Sequence, residues 1–472
     1  MLNQFFALNW VTLHGLAVML GLAIYAINSH TFKQRRHPSA AIAWVIALVL
    51  MPHITLPLYL IFGSRKIVVA SRRSVIAPSQ PDPVPDTCDP AFKSEQLAQA
   101  LGLPAAASFE QLTIHQDGGQ ALQSLRNMIS GATKTLDVCT FLFGRDMLGD
   151  EIATLLAQRA GQGVRIRLLI DGIGFYIGGH PNLKRLTDAG VQVALFVSPF
   201  RSPLRGRTNL RNHRKLVIVD GTWMWTGGRN LAAEYFVGNP SSLRKKPAWI
   251  DLSCDLRGAL AQQAGQRFEQ DWMFATKGVT AKRPRPAVPA ITTGAGGARL
   301  IASGPDQADD TLYTLLVSAC FTSHSRILAV TPYFVPDATL LMALTLAARR
   351  GIAVDLLLPR RSNHRLADIA RHAALRELAA AGARIWLAPS MIHAKAVLID
   401  DELALVGSAN LDERSLFLNY ELMVAFYEPS VVQSFARWIA LQQNSATSYR
   451  PHPPGLAREF IEGLVRWVAF QL

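Results

Sequence analysis

Acidic side chains and cysteine are both scarce in this chain of 472 residues. Asp and Glu number 34 against 48 Lys and Arg, a net charge of +14. That surplus disfavours cationic partners and admits two anionic ones, nucleic acid and anionic lipid. The four cysteines, Cys88, Cys139, Cys254 and Cys320, form no CxxC and no Cys/His ligand spacing. Neither a structural zinc site nor a disulfide framework is indicated. Charge itself is missing from two stretches, Phe5 to Ile27 and Ala40 to Phe62. At 1.5 Å per residue each reaches about 34 Å, enough to cross a hydrocarbon core of about 30 Å.

No Lys or Arg precedes Phe5, which argues against the basic start of a cleaved signal peptide. A short loop with Lys33, Arg35 and Arg36 joins the two apolar runs. The pattern predicts a two-helix transmembrane hairpin over residues 1–66, in a multi-pass protein of the membrane. Lipid then outranks nucleic acid as the anionic partner. Arg65, Lys66, Arg72 and Arg73 follow the second run and lean the catalytic portion towards the cytoplasm.

Proline is clustered. Pro78, Pro81, Pro83, Pro85 and Pro90 mark residues 67–105 as a linker. Pro284, Pro286 and Pro289 mark another at 277–297. The domains are thus expected at 106–276 and 298–472, and both show one order of signals. In the first, Thr135 to Phe143 reads as strand, Asp146 to Gln162 as helix and Val164 to Asp171 as strand. In the second, Arg326 to Phe334, Asp337 to Gly351 and Val354 to Leu358 repeat that order. Such alternation predicts two α/β units with largely parallel sheets.

Each unit also carries the same chemical pattern, H-x-K-x4-D-x6-G-[GS]-x-N. The first copy holds His213, Lys215, Asp220, Gly227, Gly228 and Asn230. The second holds His393, Lys395, Asp400, Gly407, Ser408 and Asn410. His and Lys, two residues apart at an apolar strand, share one face. The glycines mark a turn where backbone can approach a ligand closely. Two imidazoles suit nucleophile and acid/base duty, since their ordinary pKa of about 6.5 lies near working pH. Lys215, Lys395, Asn230 and Asn410 would hold an anion between the two imidazoles and take the place of a metal ion. No metal and no other cofactor is therefore expected. Asp220 and Asp400 complete the catalytic pattern, although their place at the strand end suggests that they brace the fold. Phe141, Phe143, Tyr333 and Phe334 are either groove or core. Arg201, Arg205, Arg207 and Arg211 either guide headgroups or form a solvated loop. The amphipathic stretch from Phe460 either lies on the membrane surface or packs on the second unit.

The doubled pattern resembles the phospholipase D superfamily, and its surroundings narrow the likeness to bacterial cardiolipin synthases. Thr226-Gly227-Gly228-Arg229-Asn230 with Glu234-Tyr235 is similar to the family's first motif. Ser408-Ala409-Asn410-Leu411-Asp412 with Arg414-Ser415 and Asn419-Tyr420-Glu421 is similar to its second. The resemblance implies two phospholipase D-like units related by a pseudo-two-fold, with one active site at their interface. It implies His213 as nucleophile and His393 as acid/base. Glu421 would orient His393, and Asp251 would orient His213. The implied reaction is phosphatidyl transfer between two phosphatidylglycerols at a bacterial inner membrane, giving cardiolipin and glycerol through a phosphohistidine. The rivals are phospholipase D hydrolysis to phosphatidic acid and transfer involving another acceptor or phosphatidylethanolamine. A nuclease or a non-catalytic lipid-binding protein stands further off.

Overall fold

The computed structural model describes residues 2–31, 38–63, 90–197, 209–238, 247–277, 297–307 and 309–468. Arg201, Arg205, Arg207 and most of both expected linkers lie outside them. The molecule divides into two units, the smaller holding the N-terminal helices.

In that smaller unit Leu2–Thr31 is one helix. Its Thr12–Ser29 stretch is, among the described residues, the one helical segment long and apolar enough to cross a membrane by length and composition. The second apolar run departs from the expected single span. It forms Pro38–Leu50 and Pro52–Phe62, separated at Met51 (φ −138°, ψ 60°). Pro52 has no N–H to continue the ladder, and its ring drives the preceding residue out of the helical region. A hydropathy sum over 40–62 does not register that break. Tyr59 ties the helices together, its ring 5.4 Å from that of Tyr25 and 5.2 Å from that of Trp44. Leu16, Met19, Ile46 and Leu58 stay exposed, the outward apolar surface that a lipid-facing helix needs.

The larger unit contains two large sheets of closely related order, beside a two-stranded pairing of Phe334–Val335 with Leu411–Asp412. The seven-stranded sheet runs Glu110–Ile114, Ser253–Arg257, Trp223–Gly227, Leu216–Val219, Thr135–Thr140, Arg165–Asp171, Gln192–Phe196. The nine-stranded sheet has the same order inside it: Gly297–Ser303, Glu421–Phe426, Leu403–Gly407, Ala396–Ile399, Arg326–Val330, Ala353–Pro359, Arg384–Ala388. The last three strands of each series are parallel and the rest antiparallel. The sheets are therefore mixed, not largely parallel. After each motif strand the chain reverses at an aspartate in the left-handed region, Asp220 (φ 51°) or Asp400 (φ 52°). The returning strand has no helix to carry it across, so it pairs antiparallel.

Helices cover the sheets where the sequence placed them. Met147–Gly161 is capped by Asp146, which accepts from the Gly149 amide at 2.9 Å. Ala338–Arg349 is capped by Asp337, which accepts from the amides of Thr339 and Leu340, both at 3.2 Å. Such caps satisfy amides that the first helical turn leaves free. Two segments depart from simple division into linker and domain. Pro90–Ala100, within the expected first linker, is a helix, and Ala98 and Leu103 enter the core of the second half. Ala107–Ser108 adds a strand to the second sheet beside Gly297–Ser303. The C-terminal helix Leu456–Val468 packs on Arg365–Ala380, with Arg376 Nη2 2.5 Å from the buried Glu462 carboxylate. It still exposes Leu456, Phe460, Ile461 and Leu464.

Candidate active site

Each motif histidine precedes its strand on a segment that hooks onto the other half of the chain. The His213 amide donates to the Tyr420 carbonyl at 2.9 Å, and the Tyr420 amide donates to Arg211 O at 2.8 Å. On the other side the Ile250 amide donates to Met391 O at 2.9 Å, and the His393 amide donates to Ile250 O at 2.6 Å. These bridges fix which carboxylate meets which ring. Glu421 follows Tyr420 and is carried to His213, with Nδ1 3.3 Å from Oε1. Asp251 follows Ile250 and is carried to His393, with Nδ1 2.7 Å from Oδ2.

The expected pairing, Glu421 with His393 and Asp251 with His213, is thus reversed. Within one half, the carboxylate strand and the histidine are separated by the intervening strand of the sheet. Across the halves, the two segments meet edge to edge. A carboxylate only accepts, so each Nδ1 carries the proton and each Nε2 keeps its lone pair for the cavity.

The variable position of the motif follows from the same contacts. A side chain at Gly228 would run into the Asp251 carboxylate, so only hydrogen fits there. Ser408, its counterpart, fills the equivalent space and donates to Glu421 Oε2 at 2.5 Å. Asn419 Nδ2 donates to the other Glu421 oxygen at 3.2 Å.

His213, Lys215, Asn230, His393, Lys395 and Asn410 line one cavity of about 370 Å³. Phe141 and Tyr333 line it too, whereas Phe143 and Phe334 are core. Lys215 Nζ donates to His213 O at 2.6 Å. Lys395 Nζ donates to His393 O and stands 2.9 Å from His393 Nε2. The Asn230 amide nitrogen donates to the Tyr235 hydroxyl at 2.8 Å. The side-chain oxygens of Asn230 and Asn410 find no hydrogen-bond partner among the described residues.

Burial sets the protonation pattern. Desolvation, then the neighbouring ammonium, lowers His213 to about 4 and His393 to about 3, so both rings rest neutral at pH 7. Burial alone would raise Asp251 and Glu421. The adjoining imidazole, together with Lys395 and Arg229 at Asp251 and with Lys215 and Ser408 at Glu421, outweighs it, and both carboxyls fall below their usual range. Desolvation lowers Lys215 and brings Lys395 to about 7. An arriving phosphodiester would restore the charge that burial penalises.

Asp220 and Asp400 stand apart from this cavity. Asp220 accepts from the amides of Thr133, Lys134 and Thr135 and from the Thr133 hydroxyl, at 2.7 to 3.0 Å. Burial opposes ionisation there, but those donors prevail and hold it at about 2. Asp400 does the same for His324, Ser325 and Arg326, at 2.7 to 3.0 Å. The geometry thus sets them apart from the other motif residues, in the bracing position at the strand end. Each staples the strand end that carries the motif to the start of its neighbour.

Arg214, the middle residue of the first motif, was not singled out from the sequence. It is fully buried. It bonds Asp271 at 2.6 Å, Ser303 O at 2.9 Å and, through Nε, Glu421 O at 3.0 Å. It thereby fixes the backbone of the carboxylate that holds His213. The available signal was a permanent cation between His213 and Lys215, just before the apolar strand Leu216–Val219, since a buried guanidinium needs partners on every side.

The chain matches the family described as "Cardiolipin synthase, PLD-like domain" over residues 125–272 and 317–441. Residues 17–64 match "Phospholipase_D-nuclease N-terminal". Cardiolipin synthase A of Pseudomonas aeruginosa is 33% identical over 414 residues, 84% of this chain and 82% of that protein. Cardiolipin synthase 1 of Bacillus anthracis is 28% identical over 446 residues, 89% and 86% of the two chains. Among solved structures, a phosphatidylserine synthase from Haemophilus influenzae shares the fold, with TM-score 0.59 and 13% identity. The match covers 81% of this chain and 100% of that one. With its doubled motif gathered at one cavity and these matches across most of its length, the chain belongs to the cardiolipin synthase family of phospholipase D-like proteins.

Proposed function

We propose that the protein is a cardiolipin synthase that transfers a phosphatidyl group between two phosphatidylglycerol molecules. The observation that carries this reading is the convergence of both His/Lys/Asn sets on one cavity, each ring held by a carboxylate from the opposite half. Lys215, Lys395, Asn230 and Asn410 neutralise and hydrogen-bond the phosphodiester oxygens, an interaction that strengthens as charge redistributes in the transition state. The Nε2 lone pair of His213 attacks phosphorus. The negative charge of the bound phosphodiester lets His393 Nε2 take up a proton, the glycerol oxygen leaves with that proton, and a phosphohistidine remains. The terminal hydroxyl of a second phosphatidylglycerol gives its proton back to His393 and displaces His213 from phosphorus. One phosphodiester replaces another, so the products are cardiolipin and glycerol. The names of the curated relatives support this activity.

The repeated strand order supports a pseudo-two-fold relation between the halves. We take the two shorter N-terminal helices, Pro38–Leu50 and Pro52–Phe62, as a broken second membrane crossing opposite Leu2–Thr31. That reading makes the protein a multi-pass enzyme of the bacterial inner membrane and confines it to the plane of both substrates.

The test is an assay on pure phosphatidylglycerol. Cardiolipin and glycerol in equal amounts, without phosphatidic acid, are expected. Phosphatidic acid alone would assign hydrolysis instead. Adding phosphatidylethanolamine then reads out acceptor preference.

A further inference from the structure

The catalytic cavity is not electrically symmetric, although its two motifs are. Arg211 and Arg414 both line it, beyond the four cationic and amide groups already assigned to the reacting phosphate. Arg211 stands two residues before His213, and Arg414 four residues after Asn410. The positions of equal spacing in the other copies are Met391, two before His393, and Glu234, four after Asn230. Both substitutions remove positive charge from the His393 end of the cavity. Trp249 and Tyr235 complete that end, their rings 5.5 Å and 5.1 Å from the His393 ring.

The two guanidiniums line the same cavity as His213 and act on one another. Arg414 adds to the field that depresses the His213 ring, and each Arg feels the Asp171 carboxylate. Arg211 and Arg414 disfavour one another's charge. Two of the carboxylates that act on them, Asp171 and Asp412, also serve backbone amides. Asp171 spends its oxygens on the amides of Ile173, Gly174 and Asn212, at 2.9, 3.1 and 2.7 Å. Asp412 accepts from the Ser415 amide at 2.7 Å. Burial pushes both carboxyls up to about 6. A planar guanidinium pair in such surroundings matches a dianionic or monoanionic phosphate better than any other common lipid group.

We propose that Arg211 and Arg414 form a second phosphodiester subsite, which holds the acceptor lipid's own phosphate while the donor phosphate reacts between the histidines. This inference rests on the two-lipid transfer proposed above. Its chemistry follows from the substrates. The departing glycerol carries no charge, whereas the acceptor brings a second phosphate and the product retains both. A three-carbon glycerol bridge separates those phosphates, so the second must lie within the same cavity. The acceptor hydroxyl enters beside His393, opposite His213, and its three-carbon bridge turns the second phosphate back towards Arg211 and Arg414 and away from Glu234.

The experiment uses full-length enzyme in mixed micelles and two reactions that share a donor. One is cardiolipin formation from phosphatidylglycerol. The other is exchange of labelled free glycerol into phosphatidylglycerol, in which the acceptor has no phosphate. Arg211→Gln and Arg414→Gln are expected to lower the ratio of cardiolipin formation to exchange by about tenfold or more, since each removes charge-assisted bonds to the acceptor alone. Arg414→Lys should recover part of that ratio. A parallel fall in both reactions, or no fall in either, would overturn the subsite. Wild-type enzyme that exchanges glycerol but yields no cardiolipin would overturn the two-lipid reading itself, and the subsite with it.

Discussion

Asp251 lies in the first half of the chain and bonds His393 in the second, carboxylate oxygen to Nδ1 at 2.7 Å. Glu421 makes the reciprocal reach to His213 at 3.3 Å. Each imidazole is therefore oriented from across the interface, and the rates should show it. Asp251→Asn and Glu421→Gln are each expected to lower cardiolipin formation by about 10²-fold, because the amide no longer supports the ring through proton transfer. The crossing itself is read from non-additivity. Adding Asp251→Asn to His393→Ala should cost little more, whereas adding it to Glu421→Gln should cost again. Full additivity with His393→Ala would sink the crossed assignment.

Asp220 and Asp400 should behave oppositely. Removing either carboxylate strands several backbone amides at a strand end, at a cost of about 1–3 kcal/mol. Asp220→Ala and Asp400→Ala are expected to lower the midpoint of thermal unfolding. Turnover per folded molecule should stay within a few-fold of wild type. A catalytic collapse in a variant of unchanged stability would contradict the bracing role.

The pH profile follows from burial. The rings titrate at about 4 and about 3, so the acid limb of kcat/KM for the free enzyme should lie well below the ordinary imidazole value of about 6.5. Lys395, brought to about 7, should impose the basic limb as its charge is lost. Lys395→Arg should move that limb upward at some loss of rate, since a guanidinium stays protonated. Stability has a related sign. The unfolded histidines take up protons first, so stability should fall as pH drops from about 6.5 towards 4. An acid limb at pH 6.5 or above would refute the neutral resting pair.

The C-terminal helix should bind the bilayer surface. Glu462 and Val465 anchor it to the second half, while Leu456 and Phe460 remain 88% and 74% exposed. Leu456→Ser, Phe460→Ser and Leu464→Ser together are expected to reduce activity on phosphatidylglycerol vesicles by about tenfold or more, given the apolar area removed. Activity on detergent-dispersed substrate should change far less. Equal loss on both substrates would mean that the helix serves folding alone.

The sequence exposed the local features of this molecule and hid those that depend on facing surfaces. The motif residues, the strand–helix alternation and the capping aspartates all express themselves within a few positions of the chain. Asp251 and Glu421 were recognisable as carboxylates in need of a ring. Their partners depend on how Ile250 meets Ile392 and Asn212 meets Tyr420, contacts between segments far apart in sequence. Arg214 was missed for the same reason, since its partners Asp271, Ser303 and Glu421 all lie elsewhere in the chain. The break at Met51 illustrates a different blindness. Apolar content measures transfer into lipid, whereas a proline acts on backbone geometry.

The reciprocal carboxylates also bear on the chain while it is being made. A ribosome that has just delivered the first half has produced His213 and Lys215, but Glu421, Ser408 and Lys395 are not yet synthesised. His213 then has no acceptor to fix its proton, and no second imidazole to serve a leaving alcohol. On the proposed mechanism, a single nascent or truncated chain thus lacks the groups needed to cleave lipid. On that mechanism, reactivity begins once both halves exist and have closed on each other.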